Sequence, residues 1–318
     1  MNTSGDDAGA SPQKAETLLV TAGRDTKAQK GFVNPPVVHG STVLYPTAED
    51  LHAHRGEFQY GRRGTPTTKA LQEALIALEG PQCAGVGLAP SGLSAITTTL
   101  LAVLKSGDHL LVCDNAYRPT RNFCDGLLAG YGVKTSYFDP AVGAGIAALF
   151  KPNTKAVLVE APGSQSFEMP DIPAISGVAH ARGALVIDDN TWATPLFHRS
   201  LEQGVDISMQ AATKYIGGHS DIMFGTISAN ATDGQGLRRR SGCSASAPGR
   251  TMCSWRCAVC ARWRCGWRSI INPDLRWRGG WRRGPRSSGC CIRDWKAIPV
   301  TPSGNGILPA PPACSAWS

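Results

Sequence analysis

No run in this 318-residue chain is long and apolar enough to cross a bilayer as a helix. The opening MNTSGDDAGASPQK lacks the apolar core of a secretory signal, so it reads as a disordered polar leader on a cytoplasmic protein. Cysteine is scarce before residue 238, with only Cys83, Cys113 and Cys124, all in apolar or helical contexts. They read as buried thiols of a reducing compartment. Beyond Leu237 the shortages change. Residues 238–318 contain no Glu, His, Phe or Tyr and two acidic residues, against 15 basic residues, eight Cys and seven Trp. Residues 1–237 hold 17 basic and 22 acidic residues, so the overall charge of +8 hides two parts of opposite sign. Two kinds of sequence are joined near Leu237.

The first part alternates strand-like and helix-like segments. Residues 32–38 (FVNPPVV) alternate poorly and carry two prolines, which predicts a loop or an edge segment. Residues 69–78 (KALQEALIAL) have helical apolar spacing, closed by Gly80. Buried strands are predicted at 84–88, 108–113, 155–160 and 184–188, with helical patterns between them. Such alternation argues for an α/β domain with a mostly parallel sheet. Small residues follow the first of these strands, at Pro90-Ser91-Gly92-Leu93-Ser94, and open an apolar helical run at 96–104. Free N–H groups and the helix dipole make such an opening a cradle for an anion.

The chemistry centres on residues 208–221, SMQAATKYIGGHSD. Lys214 sits among small and apolar residues, an unusual setting for a solvated charge. A lysine in a protected pocket can lose its proton and attack a carbonyl. Thr213 is placed to help hold a phosphate beside it. His219, in a glycine-rich turn, is expected to bond the local backbone. The segment resembles the cofactor-lysine segment of the Cys/Met-metabolism family of pyridoxal 5'-phosphate (PLP) enzymes, and within it the cystathionine β-lyases. The resemblance covers roughly residues 15–236.

That resemblance implies further roles. DDNTW at 188–192 places Asp189 25 residues before Lys214, as in the family, and gives it the pyridine nitrogen. A negative partner keeps that nitrogen protonated, so the ring can accept electrons. Asp188 reads instead as part of a strand-ending turn. Tyr117, in DNAYRP, takes the role of stacking on the cofactor ring. Gly92 and Leu93 would give backbone N–H groups to the phosphate, with the Thr213 hydroxyl. Tyr60 and Arg62, in YGRRG, would reach the phosphate of a neighbouring subunit's cofactor. Glu160-Ala-Pro-Gly-Ser164 and Gln210-Ala-Ala-Thr213 look like the β-lyase form rather than the γ-lyase or γ-synthase form.

The tail offers zinc-like spacing at Cys253, Cys257, Cys260 and Cys265, and Arg/Trp interleaving of a kind that nucleic-acid binders use. A slipped reading frame fits it better. Shifting the codons of residues 250–267 by one consistent step can give PDDVFLALRGLRTMAVRL, which resembles the family's next segment. The same shift also turns residues 290–299 into β-lyase-like sequence. The restored frame would continue into a small C-terminal domain that supplies an arginine for the substrate's α-carboxylate.

The expectation is therefore a leader and arm at 1–62, a PLP-binding large domain at 63–237, and an aberrant, disordered tail at 238–318. The fold would be the PLP-dependent transferase fold of the aspartate aminotransferase type I, with its small domain lost. The implied activity is β-elimination of L-cystathionine by a homotetramer built as a dimer of dimers. Its partner is a small amino-acid substrate, with no metal, nucleic acid or membrane. A cystathionine γ-lyase or γ-synthase, or a non-enzymatic basic zinc or nucleic-acid-binding module, are the alternatives.

Overall fold

The computed structural model describes residues 14–231. The tail, with its cysteines and the predicted disorder, lies outside the described residues. The α-helices among the described residues are α1 (Ala15–Thr21), α2 (Ala48–His52), α3 (Pro66–Glu79), α4 (Gly92–Val103), α5 (Arg118–Phe123), α6 (Ile172–Ala181) and α7 (Thr194–Phe197). The strands are β1 (Gly85–Ala89), β2 (His109–Cys113), β3 (Lys134–Phe138), β4 (Thr154–Glu160), β5 (Leu185–Asp189), β6 (Ile207–Gln210) and β7 (Gly225–Ala229). They form one sheet in the order β1-β7-β6-β5-β4-β2-β3.

Only β7 runs against its neighbours, so the other six strands end on one edge. The α/β reading and four predicted strands hold, each to within a residue or so. The sequence reading missed β3, β6 and β7. All five residues of β3 are polar or aromatic, and β7 (GTISA) has only one large apolar residue, so neither forms an apolar run. Residues 32–38 are loop, as expected.

Local chemistry sets the helix starts. The Thr65 hydroxyl accepts from Thr68 N, the Thr68 hydroxyl accepts from Thr65 N, and Pro66 takes the first position of α3. The buried stripe of α3 is Leu71, Ala74, Leu75 and Leu78, on one side of the sheet with Val86, Val157, Val159, Val186 and Phe224. The other side buries Ile96 and Leu100 of α4 against Leu110, Val112, Leu158, Ile187, Ile207 and Met209. The sheet is covered on both faces, which explains why β2 and β4 read as near-continuous apolar runs. Cys83, Cys113 and Cys124 are buried thiols not joined in disulfides, as predicted. Among the described residues no helix is long and apolar enough to cross a membrane.

Candidate active site

Ligands in open α/β sheets bind beyond the carboxyl ends of the strands. Here the carboxyl ends of β1, β2, β4, β5 and β6, with the turns that leave them, carry Ser91-Gly92-Leu93, Tyr117, Glu160, Asp189 and Lys214 in that order. Five segments far apart in sequence thus meet one sheet edge.

The cradle is built at the start of α4. The Ser91 hydroxyl accepts from Ser94 N at 3.0 Å and caps the helix. The amides of Gly92 and Leu93 belong to the first turn, where no intrahelical acceptor exists, and the helix dipole favours an anion there. The helix start is seated very closely. A Cβ on Gly92 would stand 2.4 Å from Ala211 Cβ, and one on Gly225 would stand 2.2 Å from the Ser91 carbonyl oxygen. Glycine is needed at both places for close approach.

Ala211 opens the lysine loop. Lys214 N donates to Ala211 O at 2.9 Å, and Gly218 N donates to Lys214 O at 2.6 Å. Thr213 pins the loop to residue 224. Its N–H donates to Phe224 O at 3.0 Å, and its hydroxyl accepts from Phe224 N at 2.9 Å. The hydroxyl proton is directed to Phe224 O at 3.1 Å, and would turn from it to serve a phosphate. Lys214 is half-buried, and that burial lowers its pKa from the ordinary lysine value. The neutral amine is the form that attacks a carbonyl. His219 Nδ1 meets Gly217 O at 2.9 Å, the local backbone contact expected of it.

Asp189 ends β5 and is buried. Its Oδ1 accepts from Thr191 N at 3.1 Å and from the Thr191 hydroxyl, and that hydroxyl in turn accepts from Ala211 N at 2.7 Å. A continuous path of contacts runs from Asp189 through Thr191 and Ala211 to Gly92. Burial raises the Asp189 pKa, and the two bonds from Thr191 act against it. A protonated ring nitrogen facing Asp189 would supply the positive charge that burial withholds.

Asp188 corrects an expectation. It is a strand residue, not part of a turn, because β5 extends through Asp189. The pleat turns it to the opposite face, where the Ser200 hydroxyl donates to it and burial pushes its pKa up to about 8. Tyr117 precedes α5 and is partly exposed, at 39% for the residue. Its N–H donates to Glu160 Oε2 at 2.7 Å. Tyr60 and Arg62 lie on the exposed arm before α3, outside the strand-end turns. Sequence reading missed Thr191 as the link between two site loops and Glu160 as the partner of Tyr117. A carboxylate closing an apolar strand was the available signal for Glu160.

The donor set suits a phosphorylated, ring-bearing aldehyde. There are helix-start amides for the phosphate, a carboxylate for a ring nitrogen, a tyrosine face for the ring and a partly desolvated lysine for the carbonyl. No group of three or more metal-ligating side chains occurs among the described residues.

Comparison with known proteins agrees. A family model described as Cys/Met metabolism PLP-dependent enzyme matches residues 16–262, running past the compositional break at Leu237. A protein of Rhizobium johnstonii is 54% identical over 226 residues, covering 71% of this chain and 57% of that protein. The cystathionine beta-lyase MetC of Escherichia coli is 43% identical over 238 residues, covering 72% of this chain and 59% of the enzyme. This chain therefore spans between half and two-thirds of the length of these relatives. Among solved structures, cystathionine gamma-lyase from Lactobacillus plantarum, complexed with L-serine, superposes with a TM-score of 0.74. It is 27% identical, over 80% of this chain and 65% of that one.

Proposed function

From the premise that this chain belongs to the Cys/Met-metabolism PLP-dependent enzymes, with the fold of that family, we propose that it serves β-elimination of L-cystathionine. The products are L-homocysteine, pyruvate and ammonia, a step toward methionine. The bound cofactor would supply an electron sink for the carbanion at the substrate's Cα. Lys214 would hold the cofactor, and its amine is the base for the proton on the substrate's Cα. Its lowered basicity suits both tasks. Asp189 would hold the ring nitrogen, Tyr117 the ring, and Gly92, Leu93 and Thr213 the phosphate.

The observation that carries this reading is the run of contacts from Asp189 through Thr191 and Ala211 to Gly92. Those contacts join Asp189, the lysine loop and the start of α4, and so support giving them one shared ligand. Tyr60 and Arg62 reach a neighbour's phosphate in a homotetramer, a dimer of dimers in the cytoplasm.

The β-lyase activity belongs to the chain in its restored frame, which continues beyond Leu237 into the small domain. DNA sequencing across codons 225–245 tests this, and an intact printed frame refutes it. The reaction is tested by mixing PLP and L-cystathionine with the chain as it stands and with the frame-restored chain. Pyruvate with homocysteine supports β-elimination. Release of 2-oxobutyrate instead identifies a γ-lyase, and absence of both products from the restored chain refutes the reading.

A further inference from the structure

Glu160 is buried, ends β4, and has no part in the roles above. It is the register partner of Asp189 across the β4–β5 pair, so the two carboxyls stand side by side on one face of the sheet. Burial and the Asp189 charge push the Glu160 pKa up to about 8. A carboxyl kept there against that cost is held by its bonds. Oε2 accepts from Tyr117 N at 2.7 Å, and Oε1 accepts from the Ser164 hydroxyl. That hydroxyl can also accept a hydrogen bond from a neutral Glu160, so the contact survives a change of protonation.

The surrounding turn repeats the same link. A Cβ on Gly163 would stand 2.3 Å from the Asn115 side chain, and Asn115 Nδ2 donates to Glu168 O at 3.1 Å. The turn after β4 and the turn after β2 are therefore docked at several points. Glu160 provides the docking point at Tyr117 itself.

We propose that Glu160 is a positioning residue: its carboxyl ties the backbone of Tyr117 to the strand end beside Asp189 and so fixes the tyrosine ring over the cofactor. The Pro-Gly-Ser turn that follows serves this by bringing Ser164 to the second oxygen. The proposal rests on the PLP reading for its consequence, but its geometry does not need the cofactor.

The test compares Glu160→Ala with Glu160→Gln in the full chain. Glutamine keeps an acceptor for Tyr117 N and a donor for Ser164, whereas alanine keeps neither. In cofactor-free protein, hydrogen exchange at the Tyr117 amide should speed up at least tenfold in Glu160→Ala and stay within threefold of wild type in Glu160→Gln. A general loss of fold would speed exchange throughout β2 and β4, so protection there serves as the control. With PLP added, the visible circular dichroism band should change in Glu160→Ala and return with glutamine. Unchanged Tyr117 exchange in Glu160→Ala overturns the proposal, as does an unaltered visible band in a variant that has lost that protection. A frame-restored wild-type chain that takes up no PLP sinks the functional reading instead, and Tyr117 exchange still decides this one.

Discussion

Gly92→Ala puts the cradle geometry to a direct test. The added methyl would lie 2.4 Å from Ala211 Cβ and 2.7 Å from Ala211 Cα. Ordinary carbon contacts lie at about 3.5–4.0 Å, so the overlap is roughly 1 Å or more. Alanine has no side-chain torsion with which to move aside, so backbone must shift in α4 or the lysine loop. Overpacking of this kind costs about 1–3 kcal/mol. Alanine's better helix propensity returns at most about 1 kcal/mol, and less at a helix end. The net result should be a loss of about 1–2 kcal/mol, a fall of roughly 2–4 °C in melting temperature per kcal/mol. Displacing the first-turn amides by about 1 Å takes them out of hydrogen-bonding range of a phosphate. Fluorescence titration should then show PLP binding weakened about tenfold to hundredfold, since bonds to a charged group are each worth about 1.5–3 kcal/mol. Gly177→Ala is the control. It sits inside α6 with nothing within 4 Å of its would-be methyl, and should stabilise by about 0.5–1 kcal/mol. A Gly92→Ala protein that melts and binds PLP like Gly177→Ala would refute the reasoning.

Thr191→Val removes the hydroxyl that Asp189 and Ala211 share, leaving the Ala211 N–H without its acceptor. Urea unfolding should show a loss of about 1–3 kcal/mol, and PLP affinity should fall with it. Glu79 is buried between Gln210 and Ser228, and burial pushes its carboxyl up to about 7. The group is neutral in the fold up to that pH but ionises from about pH 4.3 when unfolded. Its contribution is therefore fully present below that lower value and lost as pH rises toward 7. Glu79→Gln keeps the acceptor, so the wild type should lose stability relative to the variant by on the order of 3 kcal/mol across that window. A pH-independent difference in urea midpoint energies would contradict this. Leu71→Ala, in the fully buried stripe of α3, should cost about 2–5 kcal/mol by thermal melting, and a loss under 1 kcal/mol would show the stripe poorly packed.

The parallel half of the sheet was legible because β2, β4 and β5 bury both faces and so read as apolar runs. β7 was not legible, since its small and hydroxyl residues pack against neighbours that only the fold brings near. Lys214 and the Gly92 cradle carried local signatures, a lysine among small and apolar residues and a small-residue helix start, whereas Asp189 was singled out only by the family resemblance. Glu79 carried none. Its burial depends on Gln210 and Ser228, 131 and 149 residues away in sequence. Asp188 was misread because a strand's end cannot be placed from alternation when two adjacent acids face opposite sides. Glu160 was noticed only as part of a family-distinguishing turn, because its partner Tyr117 lies 43 residues earlier.

The central claim is that Lys214 forms the covalent bond to PLP, and borohydride reduction makes that bond permanent. After reduction of the full chain incubated with PLP, peptide mass mapping should find a phosphopyridoxyl group on Lys214, absent from Lys214→Ala. A modified lysine elsewhere with Lys214 untouched, or no adduct in the frame-restored chain, would contradict the account.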